Sequence, residues 1–343
     1  MKAAILGATG LVGQRFVQLL NDHEWFEIAT LTGSERSVGA EYGDAVNWRM
    51  DAPLKEKVAG LTVQPTDPRH VDADVVFSAL PAEQALETEE AFAREGFGVV
   101  SNASSHRMDS DVPLMNPEAN FTHLSLIEEQ RQKRKWDGAI VTNPNCTTAV
   151  LTLSLKPIAA NYGLRNVVVS SMQAASGAGY PGVASLDIID NVIPFINGEE
   201  EKVQRETQKI LGEPSRPGEF KVSASCHRVA VLDGHTEAVF VQTQRPASPE
   251  DITRSMQEFM AEPQNLKLPT APERPIVVKA EQDRPQPRFD RSAGRGMAVV
   301  VGRVRSDPVF SGIKYVVLGH NTIRGAAGCA VLIAESMKSQ GYL

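Results

Sequence analysis

The sequence predicts an α/β protein: an N-terminal doubly wound, Rossmann-type parallel sheet with an α+β domain after it. Three features carry this. A glycine turn, GATGLVG at 7–13, joins a short apolar run to a stretch with helical spacing at the start of the chain. Short apolar runs then alternate with helical stretches, the pattern of parallel strands joined by crossover helices. After Cys146 the texture changes to Val-rich runs separated by loops with many Pro and charged residues.

Taken in order, Ala3 to Leu6 reads as a strand and Gln14 to Leu20 as a helix, from their apolar spacing. Strands follow at Ile28 to Leu31, Val75 to Ala79, Gly98 to Ser101 and Ala139 to Thr142, with a helix over Glu83 to Arg94. Beyond Cys146, Ala149 to Ile158 is helical in pattern. Asn166 to Gln173, Ala230 to Leu232, Glu237 to Thr243, Ile276 to Val278 and Met297 to Val304 read as strands of a second sheet. Helices are expected over about 183–196, 199–211 and 249–261, and Pro263 to Arg295 reads as long loops within a folded domain. Asn321 to Gln340 is helical in pattern. The expected division is a first domain of residues 1–145, with a C-terminal helix of 322–343 packing back on it, and a second domain of 146–321.

A chain of 343 residues is long enough for two cores and a cleft between them. Its hydrophobic share of 42% and charged share of 22% are those of an ordinary globular protein. The formal charge of −7 gives no chain-wide basic field for nucleic acid, and the densest basic cluster, QRQKRK at 130–135, closes a helical stretch and reads as a solvated face. Three scattered cysteines, 146, 226 and 329, fit neither a disulfide framework nor paired zinc knuckles, so no metal is expected and a reducing cytoplasm is. The apolar start breaks at Gly7, and no run reaches membrane-spanning length. A cytoplasmic protein with no nucleic-acid or membrane partner is the expectation.

Gly7, Gly10 and Gly13 sit where a strand feeds a helix. Glycines there let the backbone approach a pyrophosphate, which the helix N-terminus attracts, and Thr9, Leu11 and Val12 share the same turn. The bland reading is a tight packing turn. Near the end of the second strand, Ser34, Arg36 and Ser37 offer two hydroxyls and a cation for the 2′-phosphate of NADP, while Glu35 keeps NAD open; an exposed polar loop is the alternative. Cys146 follows a strand and opens a helix, where the dipole and backbone N–H groups can bias a thiol toward the nucleophilic thiolate. A small buried residue is the competing reading. Arg228 and His235 stand at opposite ends of a short strand and turn, a planar fork for a carboxylate and a group that moves protons near neutral pH. His235 as a turn cap is the alternative.

The ordered set GATGLVG, SERSVG, SALPAEQ, SNASSHRMDSDVPL, NPNCTT, QAASGAGYPG, EEEK, HRVAVLDGHTE and HNTIRGAAG spans nearly the whole chain. In that order it resembles the aspartate-β-semialdehyde dehydrogenase family, its archaeal and fungal branch most closely, which includes a relative that reduces malonyl-CoA. The resemblance implies that the second domain is catalytic and dimerising. It implies that Cys146 attacks the substrate carbonyl, that His235 is the general acid/base, and that Gln173 orients the intermediate. Arg228 would pair with the substrate carboxylate and Glu199 with its amino group. Lys202 and Arg107 would bind phosphate, with Asn102 on phosphate or cofactor. Ser78 and Leu80 of SALPAEQ, Ser176, Gly177 and Asn321 would complete the cofactor site with the glycine turn.

The implied reaction is the reversible, NADPH-dependent reduction of L-aspartyl 4-phosphate to L-aspartate 4-semialdehyde through a cysteine thioacyl intermediate. It belongs to the biosynthesis of lysine, threonine, methionine and isoleucine. The implied partners are a small-molecule substrate, phosphate and further copies of the chain, as a homodimer or homotetramer. Two rivals stand beside this reading. An acyl-CoA reductase of the malonyl-CoA type would keep Cys146, His235 and Arg228, and a non-catalytic nucleotide-binding protein would have no use for the cysteine. An N-acetylglutamyl-phosphate reductase fits less well, because its PGCY-like context is PNCT here.

Overall fold

The structure is a computed structural model that describes all residues from Met1 to Leu343. Its first sheet holds six parallel strands: β1 (Lys2–Leu6), β2 (Glu27–Gly33), β3 (Gln64–Pro65), β4 (Val75–Ser78), β5 (Gly98–Ser101) and β6 (Ala139–Thr142). Helices α1 (Leu11–Leu20), α2 (Ala82–Arg94) and α3 (Leu126–Arg134) lie among their connections. The strands are apolar on both sides because both faces are covered. Ala3, Ile5 and Phe77 pack with Phe16 and Val17 of α1, while Ala4, Leu6 and Val76 pack with Phe92 and Ala93 of α2. In the spatial order β3-β2-β1-β4-β5-β6 the direction of winding reverses between β1 and β4. An open α/β sheet binds its ligands in the crevice beyond the C-terminal strand ends at that reversal.

The chain then enters α4 (Cys146–Tyr162) and a mixed seven-stranded sheet: β7 (Leu164–Gln173), β8 (Val192–Ile193), β9 (Lys221–Val229), β10 (His235–Thr243), β11 (Ile276–Lys279), β12 (Val299–Asp307) and β13 (Gly312–Gly319). The order is β11-β12-β13-β10-β7-β9-β8. Strand β7 runs parallel to β9 and antiparallel to β10. One face packs Val167, Val169, Val239, Val241, Tyr315 and Val317 against Val150, Leu151 and Ile158 of α4 and Ile252 and Met256 of α6 (Pro249–Gln257). The other face is half-exposed, as the alternating burial of β7 and β10 shows. Helix α5 (Glu199–Ile210) packs on β9, and α7 (Gly328–Ser339) returns to the first core, with Ala330, Val331, Ile333 and Met337 beside Ile5.

Several expected elements differ. Ala230 to Leu232 is not a strand but part of the connection from β9 to β10, which crosses the end of β7: Ala175 N donates to Val231 O at 2.7 Å and Ser176 N to Leu232 O at 3.2 Å. Arg228 and His235 therefore belong to two strands on either side of β7. The expected helix over 183–196 is one turn, Ser185–Ile188, followed by β8. Leu186, Ile189, Val192 and Phe195 recur every third residue, yet they are 91%, 64%, 55% and 69% exposed. Asp190 at φ 57° and Pro194 stop the helix. The helix expected over 249–261 ends at Gln257, and Pro263 opens a separate turn. At the C-terminus, regular helix begins only at Gly328, after a wide turn, Ile323–Ala327, kinked at Ala326 (φ −150°, ψ −108°). Strands β3, β8, β9 and β13 are not anticipated by the apolar pattern.

Candidate active site

Helix α4 begins at Cys146 because Asn145 caps it: Asn145 Oδ1 accepts from the backbone N–H groups of Thr147 (2.9 Å) and Thr148 (3.2 Å). The cap also points Asn145 Nδ2 at Glu199 Oε1, 2.8 Å away. The thiol is thereby held at the floor of a cleft of about 620 Å³ between the two sheets. The expected bias toward thiolate does not hold in the free protein. Burial, followed by the Glu199 carboxylate, pushes the thiol up to about 12 against the opposing pull of Arg228, Arg107 and the Thr147 N–H, which the sulfur shares with the Asn145 cap.

The facing wall is the end of the second sheet. Arg228 pairs with Gln173 across β9 and β7, and Thr236 pairs with Met172 across β10 and β7, so His235 stands one step further on, level with Gln173. These three side chains are buried on one face at one end of the sheet. His235 Nε2 lies 3.1 Å from Cys146 Sγ, and the Ala174 backbone N–H donates to Nδ1 at 3.1 Å. A ring nitrogen that accepts an amide proton carries none of its own, so the neutral ring must be protonated at Nε2, facing the sulfur. Burial, then Arg228 and His320, lowers the imidazole to about 3. The resting pair is thus a thiol and a neutral imidazole whose Nε2–H is the donor. Arg228 is fixed through Nη1 to Ala174 O at 2.8 Å, and Gln173 Nε2 donates to Ser171 Oγ at 3.3 Å.

Polar groups converge on the other side of the sulfur. Arg107 is nearly buried, with Nη1 on Glu206 Oε1 (3.0 Å) and Nη2 on Asn102 O (2.8 Å), while its Nε–H has no partner. Glu199 and Lys202, one helical turn apart on α5, line the same cleft with Asn102 and Arg228. Two cationic side chains, Arg107 and Lys202, lining one cleft are a site for an anion.

At the first sheet, Gly7 has φ +71° and accepts from Gly10 N at 3.1 Å. A Cβ on Gly13 would stand 2.3 Å from Gly7 O, so only glycine lets α1 approach β1 this closely. No side chain caps α1 at Gly10, and its first turn holds no acidic residue. These free N–H groups, with the bare glycine surface, fit the pyrophosphate of a dinucleotide. Leu11, Val12 and Leu80 line the cleft, whereas Gly7, Thr9, Gly10, Gly13 and Ser78 do not; Thr9 lends its carbonyl to Gln14 Nε2, and Ser78 is fully buried. Ser34 and Arg36 are exposed at the end of β2, and Ser37 turns its hydroxyl inward to Ser34 O. Across the cleft, Ser176, Gly177 and Asn321 meet: Asn321 Nδ2 donates to Ser176 Oγ at 2.8 Å and its Oδ1 accepts from Gly234 N at 2.8 Å.

Five residues of this site are not among those singled out by the sequence. Asn145 and Asn143 flank Pro144, and Asn143 Nδ2 bonds Asn102 Oδ1 at 3.0 Å. Gly325, in the C-terminal turn, meets Cys146 so closely that a Cβ would stand 2.7 Å from the cysteine Cβ. Glu206 and Lys209 lie on α5 beyond Lys202. The NPN flank of the cysteine and the continuation of the helical face from Glu199 and Lys202 were the available signals.

Comparison with known proteins agrees along the chain. The model of the semialdehyde dehydrogenase NAD-binding domain matches residues 2–127, and that of the semialdehyde dehydrogenase dimerisation domain matches 155–324. The aspartate-semialdehyde dehydrogenase of Archaeoglobus fulgidus is 56% identical over 97% of this chain and 96% of its own length. The malonyl-CoA reductase (NADP) of Metallosphaera sedula is 46% identical over 100% of this chain and 98% of its own. A crystal structure of aspartate semialdehyde dehydrogenase with NADP from Candida albicans superposes with a TM-score of 0.92 at 42% identity, covering 100% of this chain and 99% of that one.

Proposed function

The chain belongs to the semialdehyde dehydrogenase family, and from that premise we propose that it catalyses the reversible, NADPH-dependent reduction of L-aspartyl 4-phosphate to L-aspartate 4-semialdehyde and phosphate. The observation that carries this reading is the 3.1 Å approach of Cys146 Sγ to His235 Nε2 in a cleft shared with Glu199, Lys202, Arg107 and Arg228. Arg228 receives the substrate α-carboxylate and Glu199 its ammonium group, with Gln173 orienting the reacting carbonyl between them. Arg107, Lys202 and Asn102 take the phosphate. Pairing Glu199 with an ammonium removes the nearest negative charge opposing thiolate formation.

Cys146 Sγ attacks C4 of the substrate: the S–C bond forms and the C–O bond to phosphate breaks. Because His235 Nε2 is already protonated, the thiol proton leaves on the departing phosphate. A nicotinamide dinucleotide, when bound, supplies hydride. His235 Nε2–H donates a hydrogen bond to the oxyanion that develops at C4 of the substrate, a stabilisation realised in the transition state. Cleavage of the S–C bond releases the aldehyde and leaves a thiolate, which the same N–H holds until it regains a proton from solvent. Nε2–H is thus the proton through which His235, the general acid/base that the family resemblance implies, works in this direction.

The glycine turn, with Thr9, Leu11 and Val12, takes the pyrophosphate, and Ser34 and Arg36 the 2′-phosphate that selects NADP, while the Ser37 hydroxyl closes their turn on Ser34 O. Leu80, Ser176, Gly177 and Asn321 surround the nicotinamide end, with Ser78 buried at the end of β4 and not lining the cleft. The solved relative bound to NADP supports this assignment. The second domain pairs with another copy of the chain, supported by its match to a dimerisation domain and by the exposed apolar residues from Leu186 to Phe195. Three free thiols favour a reducing compartment, the cytoplasm.

The 46% identical relative keeps malonyl-CoA reduction as a second reading. Glu199 weighs against it, since a malonyl group brings a carboxylate and no amine to that buried acid. Purified protein assayed with aspartate semialdehyde, NADP and phosphate should turn over, and with malonyl-CoA and NADPH it should not. Turnover in the second assay alone would reverse the choice.

A further inference from the structure

Helix α5 carries Glu199, Lys202, Glu206 and Lys209 on one face, at steps of three and four residues. The first two face the substrate cleft. The second two hold the parts that make the anion site. Lys209 Nζ donates to the carbonyls of Arg107 (2.7 Å), Asp109 (2.7 Å) and Val112 (2.9 Å), spending all three of its protons on the turn that carries Arg107. Glu206 is 2% exposed, and its two oxygens divide their work. Oε1 accepts from Arg107 Nη1 at 3.0 Å and Oε2 from the backbone N–H of Asn145 at 2.6 Å. One carboxylate therefore ties the guanidinium of the anion site to the residue that caps the helix of the thiol.

We propose that Glu206 is the positioning residue of the phosphate site, fixing the distance and angle between the Arg107 guanidinium and Cys146. The proposal rests on the phosphate-dependent reading given above. Stability is a weak reason for such a group, because well-packed apolar residues generally replace a buried ion pair at no loss. Geometry is a better one. With Nη1 held by Glu206 and Nη2 by Asn102 O, the guanidinium plane cannot turn in the wall of the cleft that it lines. Phosphate transfer to and from a thioester requires the anion within attacking distance of the acyl carbon on sulfur, so both ends of the bridge must be registered together. Glu206 touches neither substrate nor sulfur and acts through Arg107 and Asn145.

The test is steady-state kinetics of Glu206→Gln and Glu206→Asp with aspartate semialdehyde, NADP and varied inorganic phosphate, alongside Arg107→Ala and the Glu206→Gln/Arg107→Ala double variant. Glu206→Gln should raise KM for phosphate by about tenfold or more while KM for NADP stays within about twofold, and in the Arg107→Ala background it should add less than about twofold. Glu206→Asp, which keeps the charge, should recover part of the loss and covers the case in which the glutamine variant does not fold. A wild-type KM for phosphate in a folded variant would overturn the proposal. So would effects that multiply independently in the double variant, or equal losses for every substrate with a lowered thermal midpoint. If the unmodified protein turns over aspartate semialdehyde with no dependence on phosphate, it is the phosphate reading that fails, whatever Glu206 does.

Discussion

Burial and the Glu199 carboxylate hold the Cys146 thiol protonated, while a backbone N–H on Nδ1 commits His235 to a single tautomer. Alkylation of Cys146 by iodoacetamide, followed by quenched mass spectrometry, should therefore climb about tenfold per pH unit between about pH 7 and 10 without a plateau. Glu199→Gln removes a charge that raises the thiol, so its rate should exceed that of the unchanged protein at every pH. A plateau near neutrality would show a thiolate already present. Cys146, Gln173, Arg228 and His235 were legible in the sequence as members of ordered motifs. The tautomer was not, because it depends on an amide from Ala174 brought alongside by strand pairing. Nor was the raised thiol, since a helix N-terminus argues the opposite, and the burial and the Glu199 carboxylate that raise it come only with the fold.

Helix α4 and the turn Ile323–Ala327 meet at the sulfur. Asn145→Ala removes the cap and should cost about 1 kcal/mol in denaturant unfolding, with a fall in turnover from the lost Glu199 contact. Gly325→Ala places a Cβ 2.7 Å from the Cys146 Cβ, and the displacement this forces should lower kcat by about a hundredfold with the fold retained by circular dichroism. A near-normal kcat in Gly325→Ala would mean that the turn does not set the position of the thiol. At this scale the first sheet was readable, because strands covered on both faces are continuous apolar runs such as VVFS and GVVS. The second was read less well. Strand β9, KVSASCHRV, interleaves serines with its buried positions and gives little apolar contrast. The segment 183–196 misled in the other direction: its apolar residues every third position suggest a helix turned to a core, but they are exposed along one helical turn, a short strand and the loops beside them.

Across the molecule, a fully buried ion pair joins the C-terminal turn to the first domain: both Arg324 and Glu118 side chains are 0% exposed, with Arg324 Nη1 2.8 Å from Glu118 Oε2 and Nε donating to Met297 O at 2.7 Å. Glu118→Ala leaves a buried guanidinium without its partner and should destabilise the protein by about 3–5 kcal/mol, read as a lowered midpoint in thermal or denaturant unfolding. This link was invisible in the sequence, since the two residues lie 206 positions apart. Its place explains why the final segment does not run as one helix: Arg324 is drawn into the core and Gly325 is set against Cys146 before α7 begins. The whole arrangement brings two sheets and one C-terminal turn to a single sulfur, the atom that takes the acyl group in the proposed reaction. Protein mixed rapidly with aspartate semialdehyde and NADP in the absence of phosphate measures this most directly. A burst of about one NADPH per chain is expected, with one aspartyl group on the peptide containing Cys146 after acid quench. No burst with Cys146 unmodified, or an acyl group on another residue, would contradict it.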